Sequence, residues 1–154
     1  MLRRMNAADV PATFLVRTAT VENAITREEL ARRHGITPES VAASLQGTVT
    51  GWVWEQDGDV TGFCMAEGDT GEVLVLATLP SAEGQGVGRS LLGAACDWLF
   101  AQGHDELFLW SNPDPGVRAH GFYRHLGWKA RPERHGDDEK LVLRRPAGDN
   151  AAHD

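Results

Sequence analysis

Cysteine and long apolar runs are both scarce in this sequence of 154 residues. Its two cysteines, Cys64 and Cys96, stand 32 positions apart without Cys-x-x-Cys spacing, which argues against a disulfide scaffold and predicts two buried thiols. No apolar run approaches the roughly 20 residues that span a bilayer. The basic start, Met1 to Asn6, leads into no apolar segment of the kind found in signal peptides. We therefore expect a cytoplasmic protein with no membrane partner.

Positive charge is scarce as well, because 15 Lys and Arg face 22 Asp and Glu for a net charge of −7. A negative surplus disfavours binding to phosphate backbones, so nucleic acid is not an expected partner. Residues 51–72 contain six Asp or Glu and no Lys or Arg. This stretch favours a cationic ligand if it lines a site; the alternative is a solvated sheet edge with acidic turns. No cluster of His, Cys and acidic residues has metal-ligand spacing, so no metal is expected.

Capping signals predict that the first 47 residues are mostly helical. Asp9 is placed to cap a first helix that runs to about Arg17. Thr26 begins a second helix with a capping box, and Gly35 ends it. Thr37 then begins a short third helix.

After this helical region, residues 48–79 predict a three-strand meander, because β-branched and aromatic residues alternate between turns. The last of these strands is apolar on both faces, as a strand covered on both sides would be. A helix, a strand, a helix and a hairpin follow. The order requires a mixed, mostly antiparallel sheet flanked by helices, in one α+β domain over residues 1–146 with a flexible tail over 147–154.

A glycine-rich run from Glu83 to Arg89 joins the meander to the next helix. Glycine at alternate positions directs backbone N–H groups at one point, and the helix N-terminus adds about half a positive charge, so a phosphate is the expected occupant. The alternative is a tight turn without a ligand. A dinucleotide fingerprint fails because Arg89 and Leu91 stand where its third glycine belongs. A nucleotide triphosphatase loop fails because no Lys precedes Lys129. Methyltransferases that use S-adenosylmethionine share the glycine spacing, but a meander rather than a first parallel strand precedes it here.

Two motifs in fixed order are more specific than the glycine run alone. The first is Leu76-Ala-Thr-Leu-Pro80-x-x-Glu-Gly-Gln-Gly-Val-Gly-Arg89-x-Leu-Leu92, and the second is Ala119-x-x-Phe122-Tyr123-x-x-x-Gly127-Trp128. Together they resemble the GNAT superfamily of acyl-CoA-dependent N-acetyltransferases over Val60 to Trp128. The resemblance implies a single-domain GNAT-like fold, acetyl-CoA as cosubstrate, and an acceptor site bordered by the early helices.

The same resemblance implies roles for particular residues. Main-chain N–H groups at about Leu76 to Thr78 would meet the oxyanion of the reacting thioester. Tyr123, the single tyrosine of the chain, would hydrogen-bond to the departing thiolate; its alternative is a packing role. Glu72 stands where family members that use a glutamate as the general base carry it. Glu72 could instead be a solvated residue at the start of a strand, and His120 is a second candidate for the base. The implied cofactor-binding residues are Leu76, Ala77, Thr78, Glu83, Gly84, Gln85, Gly86, Val87, Gly88, Arg89 and Ser90.

The sequence departs from the family pattern at two positions. The pattern begins its glycine run with Gln or Arg, but Glu83 stands here, and its charge should weaken pyrophosphate binding. We expect Glu83 to point to solvent while Gln85 and Arg89 face the phosphates. The usual Asn three residues before Ala119 is Gly116, so Asn112 or Arg118 would have to replace its amide.

Taken together, these patterns predict an N-acetyltransferase that moves acetyl from acetyl-CoA to a primary amine by direct attack in a ternary complex. The acidic turn at Glu67, Asp69 and Glu72 favours a small acceptor that is cationic or amino-acid-like. Two alternatives stay open: a non-catalytic acyl-CoA-binding regulatory module, and an acetyltransferase for protein N-termini or lysines. The acyl chain length, the acceptor and the oligomeric state are not encoded in a recognisable pattern, and a homodimer stays open.

Overall fold

The computed structural model describes residues 1–19, 26–114 and 118–146. The predicted tail lies outside the described residues. From the first helix onward, the helices and strands follow the predicted order, and a short strand precedes them. The helices are α1 (Val10–Ala19), α2 (Arg27–His34), α3 (Pro38–Leu45), α4 (Val87–Ala101) and α5 (Arg118–His125). The strands are β1 (Leu2–Arg4), β2 (Val49–Gln56), β3 (Asp59–Glu67), β4 (Glu72–Thr78), β5 (Glu106–Ser111), β6 (Lys129–His135) and β7 (Asp138–Arg144).

The strands form one seven-stranded sheet in the order β1-β2-β3-β4-β5-β7-β6. The pairing is antiparallel everywhere except between β4 and β5, which run parallel. This arrangement confirms the predicted mixed sheet and α+β class. The meander β2-β3-β4 forms one half of the sheet, and β5-β7-β6 forms the other.

Local capping chemistry explains the early helices, with one correction. Thr26 caps α2 in a capping box with Glu29, and Gly35 ends it in the left-handed region at φ 68°, as predicted. Asp9 is not the cap that begins the first helical segment. Asn6 is the cap of the 3-10 turn that leads into α1, and Asp9 occupies the third position of the capping box. Asp9 takes this position because its carboxylate also binds the guanidinium of Arg3 at 2.8 and 2.9 Å.

The two halves of the sheet meet at a single residue pair. Glu72 of β4 pairs with Phe108 of β5, after which the two strands diverge. One residue later on β4, the register with β3 shifts between Met65 and Ala66, so Leu74 is the extra residue of a β-bulge. The prediction that β4 is covered on both sides holds for Val73 and Leu76 on one face and for Val75 and Ala77 on the other, but not for Leu74. Leu74 is 43% exposed, because the divergence leaves a gap beside it.

Hydrophobic cores lie on both faces of the sheet. On one face α4 packs on the sheet, and Leu99 of α4 and Leu107 of β5 are fully buried in the core between them. Cys64 and Cys96 belong to this core, which confirms the prediction of two buried free thiols. Burial raises the pKa of both thiols, that of Cys96 to about 12. In the described part of the chain, no helix is long and apolar enough to cross a membrane.

Candidate active site

A cleft of about 1110 Å³ opens where β4 and β5 diverge. Its walls come from β4, the start of α4, the end of β5, one face of α5, and the early helices α1 and α2. Small-molecule pockets usually measure about 300–1000 Å³. The cleft is thus large enough for an extended cofactor and a second small substrate.

The glycine-rich run forms one end of the cleft, as predicted. Gly84 and Gly86 both adopt left-handed conformations, with φ of 80° and 79°. Gly86 is the N-cap of α4 and offers no capping side chain. The first intrahelical bond is that from Ser90 N to Gly86 O. The N–H groups of Val87, Gly88 and Arg89 therefore have no acceptor within the helix, and they suit an anionic group at this end of the cleft.

Two residues of this run differ from the prediction in their place relative to the cleft. Glu83 is half-buried and is among the residues that line the cleft. Gln85 does not line it, because its amide Nε2 donates to the carbonyl of Ser81 at 3.0 Å. The 3-10 turn Pro80–Ala82 causes this, since it brings the Ser81 carbonyl within reach of Gln85. Arg89 is exposed and lines the cleft as expected, whereas Ser90 does not.

Leu76, Ala77 and Thr78 all line the cleft, as the resemblance implied. Their backbones, however, stay paired in regular register with β3. The irregularity lies earlier, at Leu74, where an extra residue interrupts the ladder. A bulge leaves a main-chain group without a ladder partner. The oxyanion contact is therefore better placed at the bulge, near Leu74 and Val75, than at Thr78.

Tyr123 lies in the wall of the cleft and is 8% exposed. Its ring makes edge contacts with Phe122 and Trp128, at centroid distances of 5.3 and 6.0 Å. Burial raises the pKa of the phenol further above its ordinary value, so the group stays protonated and can donate a hydrogen bond. The structure thus supports both of the roles considered, because the ring packs while the residue faces the cleft.

Glu72 is not among the residues that line the cleft. It lies at the start of β4, beside Phe108, and is half-buried. Burial raises the pKa of Glu72, while His135 lowers it and Glu67 raises it. A raised pKa suits a base near neutral pH. Since Glu72 stands outside the cleft wall, a proton from the cleft would have to reach it through water.

Several cleft residues carried no recognisable sequence signal. Arg33 and His34 enter from α2, and Trp110 and Asp138 from the other half of the sheet. The resemblance indicated the early helices in general but not these side chains. Trp110 and Asp138 lie in the cleft wall because of the register of β5, β7 and β6, and no local sequence pattern shows that register.

The structure shows one candidate to replace the Asn amide that the family carries at the position of Gly116. Asn112 follows β5 and lines the cleft, and its Oδ1 accepts from the N–H of Asp114 at 2.9 Å. This bond leaves the amide nitrogen of Asn112 available as a donor. Gly116 and the side chains of Arg118 and His120 lie outside what the structure describes.

The fold and the cleft define the class of protein. Residues 18–128 match the model of the acetyltransferase (GNAT) family, and the chain belongs to that family. It is similar to mycothiol acetyltransferase of Beutenbergia cavernae, with 36% identity over 84 residues, 50% of this chain and 27% of that relative. The chain thus spans about a quarter of the length of that relative.

Solved structures show the same fold at low sequence identity. PaiA N-acetyltransferase of Thermoplasma acidophilum, solved with coenzyme A, superposes with a TM-score of 0.78 at 18% identity and covers 94% of this chain and 98% of its own. Ribosomal-protein-S18-alanine N-acetyltransferase of Escherichia coli superposes with a TM-score of 0.68 at 20% identity, over 92% of this chain and 90% of its own. These likenesses confirm the GNAT-like fold.

Proposed function

We propose that this chain transfers an acetyl group from acetyl-CoA to the primary amine of a small acceptor, by direct attack in a ternary complex. One observation carries the proposal. One cleft is lined by the start of α4, by Tyr123 and by residues of α2. The N–H groups at the start of α4 suit the pyrophosphate of CoA, and the cleft leaves room for an acceptor.

The reaction needs three kinds of help, and the cleft has a candidate for each. The amine nitrogen attacks the thioester carbon, and the oxygen of the tetrahedral intermediate is stabilised by a main-chain N–H at the bulge near Leu74. The carbon–sulfur bond then breaks, and the thiolate accepts a hydrogen bond from Tyr123. The proton lost by the amine passes through water to Glu72, whose raised pKa favours its acceptance. The products are the acetylated amine and CoA.

The acceptor in this proposal is cationic or amino-acid-like. The acidic turn that first favoured a cation does not reach the cleft, since Glu67, Asp69 and Glu72 are absent from its described walls. Asp138 does line the cleft. The support for a cationic group in the acceptor therefore comes from Asp138 and not from the turn.

Release of CoA from acetyl-CoA, followed with a thiol reagent across a panel of amines, tests the proposal. The protein's own thiols should give little background, because Cys64 and Cys96 are buried and burial raises the pKa of each. We expect amine-dependent release with small amines. Better turnover of peptides with free N-termini or lysines would replace the acceptor part of the proposal.

Absence of CoA release with every amine, together with thermal stabilisation by acetyl-CoA, would instead identify a non-catalytic acyl-CoA-binding module. Glu83 in the wall of the cleft is the observation that favours that reading. The base is tested separately by Glu72→Gln, with Glu67→Gln as the matched control. The acidic limb of the kcat/KM profile should vanish in Glu72→Gln. In Glu67→Gln it should persist and move to lower pH, because the charge of Glu67 raises the pKa of Glu72.

A further inference from the structure

The cleft is lined by side chains of opposite charge from two separate parts of the fold. One wall is the last turn of α2, where Arg33 and His34 line the cleft. The other wall is the edge of the β5-β7-β6 half of the sheet, where Trp110 and Asp138 line it. We call these the helix wall and the sheet wall.

On the helix side, counted with Arg17 of α1, the cleft carries a net positive charge, because Arg33 and Arg17 outnumber Glu29, which also lines the cleft. Arg33 is exposed, and its Nη1 lies 3.9 Å from the Oε2 of Glu29, at the outer limit of an ion pair. Glu29 is engaged elsewhere, since its Oε1 accepts from the N–H and the hydroxyl of Thr26 at 3.3 and 3.2 Å. Arg17 also lines the cleft, with its guanidinium 5.6 Å from the ring centroid of Phe63. The wall thus presents guanidinium groups that can bind a carboxylate.

The sheet wall carries a negative charge beside an aromatic surface. Asp138 pairs in register with His135 across the β6–β7 hairpin, and the ring of His135 lies 5.4 Å from that of Trp110 at an angle of 39°. Within the described part of the chain, Asp138 forms none of the ion pairs found. Asp138 and Trp110 both line the cleft on this wall, and a carboxylate and an aromatic ring are each suited to an ammonium group.

We propose that the acceptor is a small zwitterion, an amine that also bears a carboxylate. Its ammonium group is first held by Asp138 and Trp110 on the sheet wall, and its carboxylate binds Arg33 on the helix wall. This inference rests on the proposed function and selects the amino-acid-like acceptor over the purely cationic one. A diamine would place its second ammonium group against Arg33, and a dicarboxylate would place an anion against Asp138.

Acceptor pairs that differ only in the carboxylate test the inference. Lysine is compared with cadaverine, and leucine with leucinamide and isoamylamine, by CoA release at constant ionic strength. We expect kcat/KM to favour the free carboxylate by about tenfold or more, the ratio that a charge-assisted hydrogen bond supplies. Equal or better turnover of the partners without a carboxylate would overturn the inference.

Each wall also has a matched control in the chain. Arg32 and Asp137 are the sequence neighbours of Arg33 and Asp138, and both are exposed and absent from the described walls of the cleft. Arg33→Ala should abolish the preference for the carboxylate, whereas Arg32→Ala should keep it. Asp138→Asn should raise KM for acceptors with and without a carboxylate alike, and Asp137→Asn should leave both unchanged.

The outcomes separate this inference from the proposed function. Amine-dependent CoA release with no carboxylate preference, or a preference that Arg32→Ala and Arg33→Ala reduce equally, overturns the zwitterion and leaves the acetyltransferase intact. No release with any acceptor overturns the acetyltransferase and the zwitterion with it. Thermal unfolding of each variant shows whether it is folded, so that a lost preference is assigned to the side chain.

Discussion

Replacing Tyr123 with phenylalanine removes one hydroxyl from the wall of the cleft and leaves the ring in place. Tyr123 is 8% exposed, and its ring contacts with Phe122 and Trp128 do not involve the hydroxyl. Burial raises the pKa of the phenol, so it is a protonated donor throughout the working pH range. A hydrogen bond to a charged acceptor contributes about 1.5–3 kcal/mol. If the thiolate is that acceptor, kcat should fall by about 10- to 150-fold in Tyr123→Phe.

Steady-state CoA release gives kcat, and equilibrium binding of acetyl-CoA gives the affinity of the same variant. We expect the affinity to stay within about twofold of the parent, because the thiolate forms only as the carbon–sulfur bond breaks. Thermal unfolding serves as the control and should differ little from the parent. A kcat close to that of the parent, or an equal loss of acetyl-CoA affinity, would refute the assignment of Tyr123 as donor to the thiolate.

Three further substitutions test the glycine-rich run before α4, the position of α5 and the N-terminal segment. Gly86→Ala meets no atoms within 4 Å but requires an alanine at φ 79°, so strain of about 1–2 kcal/mol should weaken acetyl-CoA binding and lower the melting temperature. Glu139→Leu removes the carboxylate that lies 2.6 Å from the guanidinium of Arg124, and urea unfolding should show a loss of about 1–3 kcal/mol. Arg3 lowers the pKa of Asp9, so this carboxylate contributes stability that is present above its unfolded pKa of about 3.9 and lost as the pH falls through the lower folded value. Asp9→Asn should therefore unfold at a lower temperature than the parent at about pH 7, and the difference should shrink as the pH falls below the unfolded pKa of about 3.9.

The elements that were predicted correctly depend on contacts between near neighbours. Thr26 and Gly35 bound α2 because a cap needs only a side chain and a backbone group within one turn. The same logic failed at Asp9, where Asn6 three residues earlier is an equally good cap. The contact of Arg3 with the Asp9 carboxylate favours Asn6 as the cap, and Arg3 is held near Asp9 by the pairing of β1 with β2.

The parts of the site that escaped prediction depend on register between distant segments. Asp138 reaches the cleft only because β7 lies between β5 and β6, and a register shift in the hairpin sets where its side chain falls. The bulge at Leu74 likewise arises from the pairing of two strands, and the family resemblance placed the irregular backbone later in β4, at about Leu76 to Thr78. Glu83 lines the cleft and Gln85 does not, because of a 3-10 turn that ends just before them.

The single pair between Glu72 and Phe108 has a consequence for how the molecule opens. The two half-sheets share little of the hydrogen-bond ladder, so the seam between them is bridged by side-chain packing: β4 contacts β5, α4 packs on β3, β4 and β5, and one hydrophobic core contacts both halves. The β5-β7-β6 half can therefore exchange its amide hydrogens as a separate cooperative unit, at a lower free energy than the meander. A ligand bound in the cleft would contact both units and stabilise them together. Protection of the β5 amides against hydrogen exchange would therefore rise as the ligand fills the cleft.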